Sequence, residues 1–131
     1  MDDDRCAVRV LVADDEDDIR ALVALAVRKA GCAVVASVAD GAAALDSART
    51  ELPDLAVLDV SMPGATGLEV CSALRADPAT AGIRILLLSA GASLEDVAAG
   101  LAAGADAYLA KPFQVSGLVE RVRSLTDGQP A

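Results

Sequence analysis

The chain predicts a doubly wound α/β fold: a parallel five-stranded sheet with helices on both faces. Three observations carry this. Strand-like and helix-like segments alternate five times along 131 residues, and strict alternation implies parallel strands joined by right-handed crossovers. The strand-like segments are short and apolar, as strands covered on both faces must be. Three of them also end abruptly in charge: Val8–Ala13 runs into Asp14-Asp15, Leu55–Leu58 into Asp59, and Asp106–Ala110 into Lys111. Charged residues there emerge at the C-terminal edge of the sheet, where open α/β folds place their chemistry.

The elements follow in order. After the first strand, Ile19, Leu22, Val23 and Ala26 form the stripe of an amphipathic helix, closed by Gly31. Ala33–Val38 is the second strand. The Ala-rich segment Gly41–Glu51 is the second helix, with Leu45, Ala48 and Leu52 inward and Pro53 as its stop. The third strand delivers Asp59 to a Pro63-Gly64 turn, and Thr66 is the expected N-cap of a helix over Gly67–Ala76, which Asp77-Pro78 breaks. Ile83–Leu88 is the fourth strand. Ser93 and Asp96 have capping-box spacing for a helix with Leu94, Val97, Ala98 and Leu101 inward, ended by Gly104. The fifth strand reaches Lys111, and Val115, Leu118, Val119 and Val122 make the last helical stripe. A single domain is expected over residues 1–131, with its core at about 7–125 and a frayed tail from Thr126 to Ala131.

Composition removes several function classes. Hydrophobic residues make up 54% of the chain but aromatics only 2%, so Ala, Val and Leu must fill the core. A net charge of −9 argues against direct nucleic-acid binding, which needs basic surface, and against anionic membranes as partners. No run reaches the roughly 18 apolar residues of a membrane span. The acidic start, Met1 to Arg5, is unlike a secretory signal, so the cytoplasm is expected. Histidine is absent, which removes the commonest general base and transition-metal ligand, so any metal must be hard and oxygen-bound. Cys6, Cys32 and Cys71 have no pairing or metal spacing, and Cys71 reads as a buried small hydrophobe.

The chemistry then rests on the strand ends. The five acids Asp14 to Asp18 could merely be favourable charge at a helix N-terminus, and Lys111 merely the partner of Asp59. Taken together they say more. Three converging carboxylates repel, and one lysine cannot neutralise them. A divalent cation could: Mg²⁺ typically takes one or two carboxylates, a carbonyl and several waters, which leaves positions for a phosphoryl oxygen. Asp59 then becomes a nucleophile toward phosphorus, with Lys111 and the hydroxyl of Ser89 holding the other oxygens.

The set Asp14-Asp15, Asp59, Met62-Pro63-Gly64, Gly67, Ser89-Ala90 and Tyr108-Leu109-Ala110-Lys111-Pro112-Phe113 resembles the receiver domain of bacterial two-component response regulators, from about Arg9 to Leu125. The resemblance implies a flavodoxin-like (βα)5 sandwich with strand order 2-1-3-4-5. It implies a signalling phosphoacceptor rather than an enzyme, one that catalyses only its own phosphoryl transfer and dephosphorylation. Its donor would be the phosphohistidine of a sensor histidine kinase or phosphotransfer protein, with Mg²⁺ as cofactor and Mn²⁺ as a substitute. Carried over by position, Asp59 is the phosphoacceptor. Asp15 is the direct metal ligand, Asp14 the acid that reaches the metal through water, and Ser61 gives its backbone carbonyl. Lys111 binds the phosphate, Ser89 is the switch hydroxyl, and Tyr108 the aromatic that changes rotamer with it. Lys111-Pro112 is a bond that receivers commonly hold cis.

Departures from the pattern shape the expected output. Ala107 stands where DNA-binding regulators of the winged-helix type often carry a second acid that pairs two receivers. Asp77-Pro78-Ala79-Thr80 lengthens the third crossover, as in stand-alone and hybrid-kinase receivers. With nothing following Leu125 but a tail, the expectation is a stand-alone module. It would present the face made by the helix from Leu94, the strand at Tyr108 and the last helix to a downstream protein effector. A monomer is expected, with a dimer after phosphorylation as the alternative. Three rival readings fit these residues less well. A flavin module would need a Ser/Thr/Gly-rich loop in place of Asp14–Asp18. An aspartate-nucleophile phosphatase would need D-x-D on the first strand. A receiver reduced to a scaffold would not need every acid, hydroxyl and lysine in place.

Overall fold

The computed structural model describes residues 8–90 and 94–126. Its elements are β1 (Arg9–Ala13), α1 (Asp17–Lys29), β2 (Ala33–Val38), α2 (Gly41–Glu51), β3 (Leu55–Asp59), α3 (Gly67–Ala76), β4 (Arg84–Ser89), α4 (Leu94–Ala102), β5 (Ala107–Ala110) and α5 (Val115–Thr126). The sheet order is β2-β1-β3-β4-β5, and every pairing is parallel, as the alternating pattern and the resemblance require.

Strand alternation divides the core in two. Leu11, Ala13, Ala56, Leu58, Ile85 and Leu87 face α2 and α3, where Ala44, Ala48, Val70, Cys71 and Leu74 meet them. Their neighbours Val10, Val12, Leu55, Val57, Leu86 and Leu88 face α1 and α5, against Val23, Ala26, Val27, Leu118 and Val122. Central β3 is buried along its whole length. Cys71 is fully buried in the first cluster and its thiol is held above its ordinary pKa chiefly by burial, which fits a packing residue. Cys6 lies outside the described residues. Among the described residues, no helix is long and apolar enough to cross a membrane.

The helix signals mostly hold. Thr66 caps α3 in a reciprocal box: Glu69 N–H donates to Thr66 Oγ1 at 3.1 Å, and Thr66 N–H donates to Glu69 Oε1 at 2.9 Å. Asp40, unremarked in the sequence, caps α2 by accepting from Ala43 N–H at 2.7 Å. The box expected at Ser93 lies outside the described residues.

Four expectations need correction. Leu22 is 40% exposed, because the inner stripe of α1 runs through Val23, Ala26 and Val27, one position further round. Leu52 is 50% exposed: the helix ends at Glu51, and Leu52 turns into the left-handed region (φ 49°) ahead of Pro53, carrying its side chain off the helix face. In α4, Ala98 and Leu101 are exposed, Val97 is half-buried and Gly100 is the buried position, while the side chain of Leu94 lies outside the described set. Thr126 belongs to α5 rather than to a frayed tail, donating its hydroxyl to Val122 O at 2.9 Å.

Candidate functional site

The sheet order brings the charged strand ends together. β1 and β3 are neighbours, so Asp14 and Asp59 emerge side by side, while β5 lies two strands beyond β3 and only a long side chain can bridge the gap. Lys111 does so. Its Nζ lies 3.1 Å from Asp14 Oδ2, 3.3 Å from Asp59 Oδ1 and 3.4 Å from Glu16 Oε1. Its own backbone N–H donates to Ser89 O at 2.7 Å, and the Lys111-Pro112 bond is cis.

Asp14 is wholly buried, and Asp59 is 3% exposed. Asp14 Oδ1 accepts from Glu16 N–H at 2.9 Å. Its Oδ2 is buried at ion-pair distance from Lys111 but accepts no hydrogen bond. Asp59 Oδ1 accepts from Ser61 N–H at 3.4 Å. Asp15 is exposed beside them, and carboxylate oxygens of Asp14, Asp15 and Asp59 all lie within 4.8 Å of one another. A cleft of about 200 Å³ opens over this cluster, lined by Asp15, Glu16, Asp59, Ser61, Ala90 and Lys111.

The electrostatics follow from burial and like charge. Burial, then the neighbouring Asp14 carboxylate, push Asp59 from 3.8 to about 6, while Lys111 and the Ser61 N–H only partly offset them. Burial pulls the Lys111 ammonium down, but Asp14 and Asp59 outweigh it and hold the group above its ordinary value. Among the described residues one cation thus faces several carboxylates, and the cluster they form is short of positive charge.

Asp14, Asp15, Asp59, Ser61 and Lys111 therefore meet as the sequence suggested. Ser89 and Tyr108 do not line the cleft: Ser89 is half-buried at the end of β4, and Tyr108 sits mid-strand in β5, in register with Leu87. The acid run divides between two places: Asp17 and Asp18 occupy the first turn of α1, while Asp14 and Asp15 lie beside Asp59. Two participants escaped the sequence reading. Glu16 supplies the third contact to Lys111, and Arg20 binds Asp14 O at 2.9 Å and Asp17 Oδ1 at 2.6 Å, tying the β1–α1 loop to its helix. The spacing of Asp17 and Arg20 at i, i+3 was the available signal. Gly67 has a packing reason: its N–H donates to Val60 O, and a Cβ there would lie 2.5 Å from the carbonyl oxygen of Asp59.

Comparison with known proteins decides the family. Residues 10–123 match the response regulator receiver domain. The chain belongs to that family. Receiver domains are modules of the response regulators of two-component systems, and this receiver's relatives come from several architectures. It is 45% identical over 125 residues to the transcriptional regulatory protein PrrA of Mycobacterium tuberculosis, covering 95% of this chain and 52% of that one. The chain thus spans about half the length of the curated relatives it matches. Among solved structures it is similar to chemotaxis response regulator CheY4 of Vibrio cholerae, with 34% identity, a TM-score of 0.84, and 91% and 98% of the two chains covered. The receiver domain of a signal transduction histidine kinase from Syntrophus aciditrophicus superposes equally well, with a TM-score of 0.84 at 27% identity over 94% of this chain and 92% of that one.

Proposed function

We propose that this receiver takes a phosphoryl group onto Asp59 from the phosphohistidine of a sensor histidine kinase or phosphotransfer protein, in a Mg²⁺-dependent step in the cytoplasm. The observation that carries the reading is the position of Asp59, buried at the end of β3 with the Asp14 carboxylate and the Lys111 ammonium against it. A carboxylate oxygen of Asp59 attacks phosphorus, the phosphorus–nitrogen bond to the donor histidine breaks, and an acyl phosphate forms. Lys111, already between Asp14 and Asp59, turns to the new phosphoryl oxygens.

The residues suit a hard divalent cation. Asp14 Oδ2 is a buried acceptor without a hydrogen bond, the donors are all oxygens, and Lys111 leaves most of the negative charge uncompensated. Asp14, Asp15, Asp59 and the backbone carbonyl of Ser61 would hold Mg²⁺, or Mn²⁺ in its place. When bound, the ion supplies the positive charge that lets an anionic phosphoryl group approach. The remaining acts are the protein's own: Asp59 is the nucleophile, Lys111 holds the product's oxygens, and Ser89 and Tyr108 report it. Ser89 donates its hydroxyl to the phosphoryl group, and the Tyr108 ring follows into the space released. The module turns over no substrate but itself.

The output of the module is a protein–protein contact on the α4–β5–α5 face, where Leu101 is 50% exposed. With a net charge of −9, this domain itself is poorly suited to bind DNA, whatever its longer relatives do elsewhere in their chains. The test is incubation with acetyl phosphate and Mg²⁺ followed by intact mass measurement. The expected gain is one phosphoryl group, lost when EDTA is added beforehand. An adduct that forms at the same rate in EDTA contradicts the metal assignment.

A further inference from the structure

Among the described side chains of helix α4 the one buried position is a glycine, Gly100, although glycine inside a helix is less stable than alanine. The reason lies across the interface. A Cβ at Gly100 would stand 3.0 Å from Tyr108 Cδ2, 3.4 Å from Tyr108 Cε2 and 3.1 Å from Leu87 Cδ1, inside the roughly 3.5–4.0 Å at which carbons pack. Leu87 is the cross-strand partner of Tyr108 and is fully buried in the core, so it has little room to retreat. Tyr108 is half-buried, so its ring is the group that would yield. Gly117 offers the contrast: it is a helical glycine in α5, exposed, with no heavy atom within 4 Å of the place its Cβ would take.

We propose that Gly100 is a positioning residue for Tyr108, its bare backbone forming the seat on α4 against which the ring rests. The seat joins the ring to the helix that presents Leu101, so a ring that leaves it also releases α4. This rests on the reading of Tyr108 as the switch residue, and it names the contact by which that switch reaches the output surface. Substitution at Gly100 therefore acts on the ring before it acts on the fold.

Tyr108 is the only tyrosine and tryptophan is absent, so emission reports this ring alone. The test compares Gly100→Ala with Gly117→Ala in the full chain, by thermal melting and acrylamide quenching of tyrosine emission. Gly117→Ala should raise the melting temperature by roughly 1–3 °C and leave quenching unchanged. Gly100→Ala should give no such rise and should make the ring more accessible to the quencher. In a Tyr108→Ala background the ring is gone and Leu87 Cδ1 can move into the space it leaves, so adding Gly100→Ala should then stabilise relative to that background. If Gly100→Ala proves too unstable to examine alone, the same addition to Tyr108→Ala still decides. The seat is overturned if Gly100→Ala behaves like Gly117→Ala with the ring present, or if stabilisation fails to return without it. Beryllofluoride with Mg²⁺ separates this from the switch reading: an unchanged tyrosine signal in the unsubstituted chain contradicts the switch, whereas the paired substitutions judge the seat.

Discussion

Replacing Asp59 with asparagine should stabilise the metal-free protein at pH 8 by about 3 kcal/mol, because each unit of pKa shift corresponds to about 1.4 kcal/mol. The shift in question, from 3.8 to about 6, arises chiefly from burial and then from Asp14. Its sign fixes the pH window. A carboxyl raised in the folded state binds its proton more tightly folded than unfolded, so its contribution to stability is fully present below about pH 4 and is lost as pH rises through about 6. Asparagine has no charge to bury. The advantage of Asp59→Asn should therefore be full above pH 6 and fade as pH falls to 4. Mg²⁺ should reverse the ranking, stabilising the unsubstituted protein more than the variant by supplying the missing charge. Urea unfolding across pH 4–8, with and without Mg²⁺, measures all of this; a difference independent of pH would contradict the electrostatic account.

The second large effect concerns Arg75, which lies outside the cleft altogether. Its guanidinium donates to Gly104 O at 2.9 Å through Nε, to Ala81 O and Ile83 O through Nη1, and to Asp106 Oδ2 at 2.9 Å through Nη2. Asp106 Oδ2 in turn accepts from Ile85 N–H at 2.8 Å. One side chain thus ties the end of α3 to the start of β4 and to the α4–β5 turn. The same contact explains Gly104, whose φ of +106° disfavours other residues and whose Cβ would meet Arg75 Cγ at 2.7 Å. Arg75→Ala leaves carbonyls from two loops without their donor. With the site about a quarter exposed, water replaces part of the loss, and the expected destabilisation is about 2–4 kcal/mol. Arg75→Lys should recover only a minor part, since an ammonium cannot reproduce a planar fork. Chemical denaturation checks both. A variant within about 0.5 kcal/mol of the parent, the usual range for inert surface positions, would show that the tie is dispensable.

These two residues mark where reading the chain succeeded and where it stopped. Asp59 was legible because a carboxylate ending a wholly apolar run can only emerge at a sheet edge, and parallel order then brings Asp14, Asp15 and Lys111 to the same place. Arg75 was not, since its partners sit in turns separated from it by up to 31 residues, and no local pattern announces carbonyls waiting for a donor. Glu16 was hidden inside an acid run that already had an explanation. The phase of α4 misled for another reason. Ala98, Ala99, Ala102 and Ala103 are compatible with either face, so Leu101 drew the predicted stripe to the wrong side, and the bulk of Tyr108 and Leu87 explains why Gly100 is the inner residue. Leu22 failed similarly, next to a helix face already filled by Val23 and Val27.

The central claim is that Asp59 is the phosphoacceptor, and mapping the phosphoryl group tests it most directly. After incubation with acetyl phosphate and Mg²⁺, the adduct should be confined to the peptide containing Asp59, and the Asp59→Asn variant should gain no mass under the same conditions. Retention of the adduct by Asp59→Asn, or its mapping to another residue of the unsubstituted protein, would contradict the account.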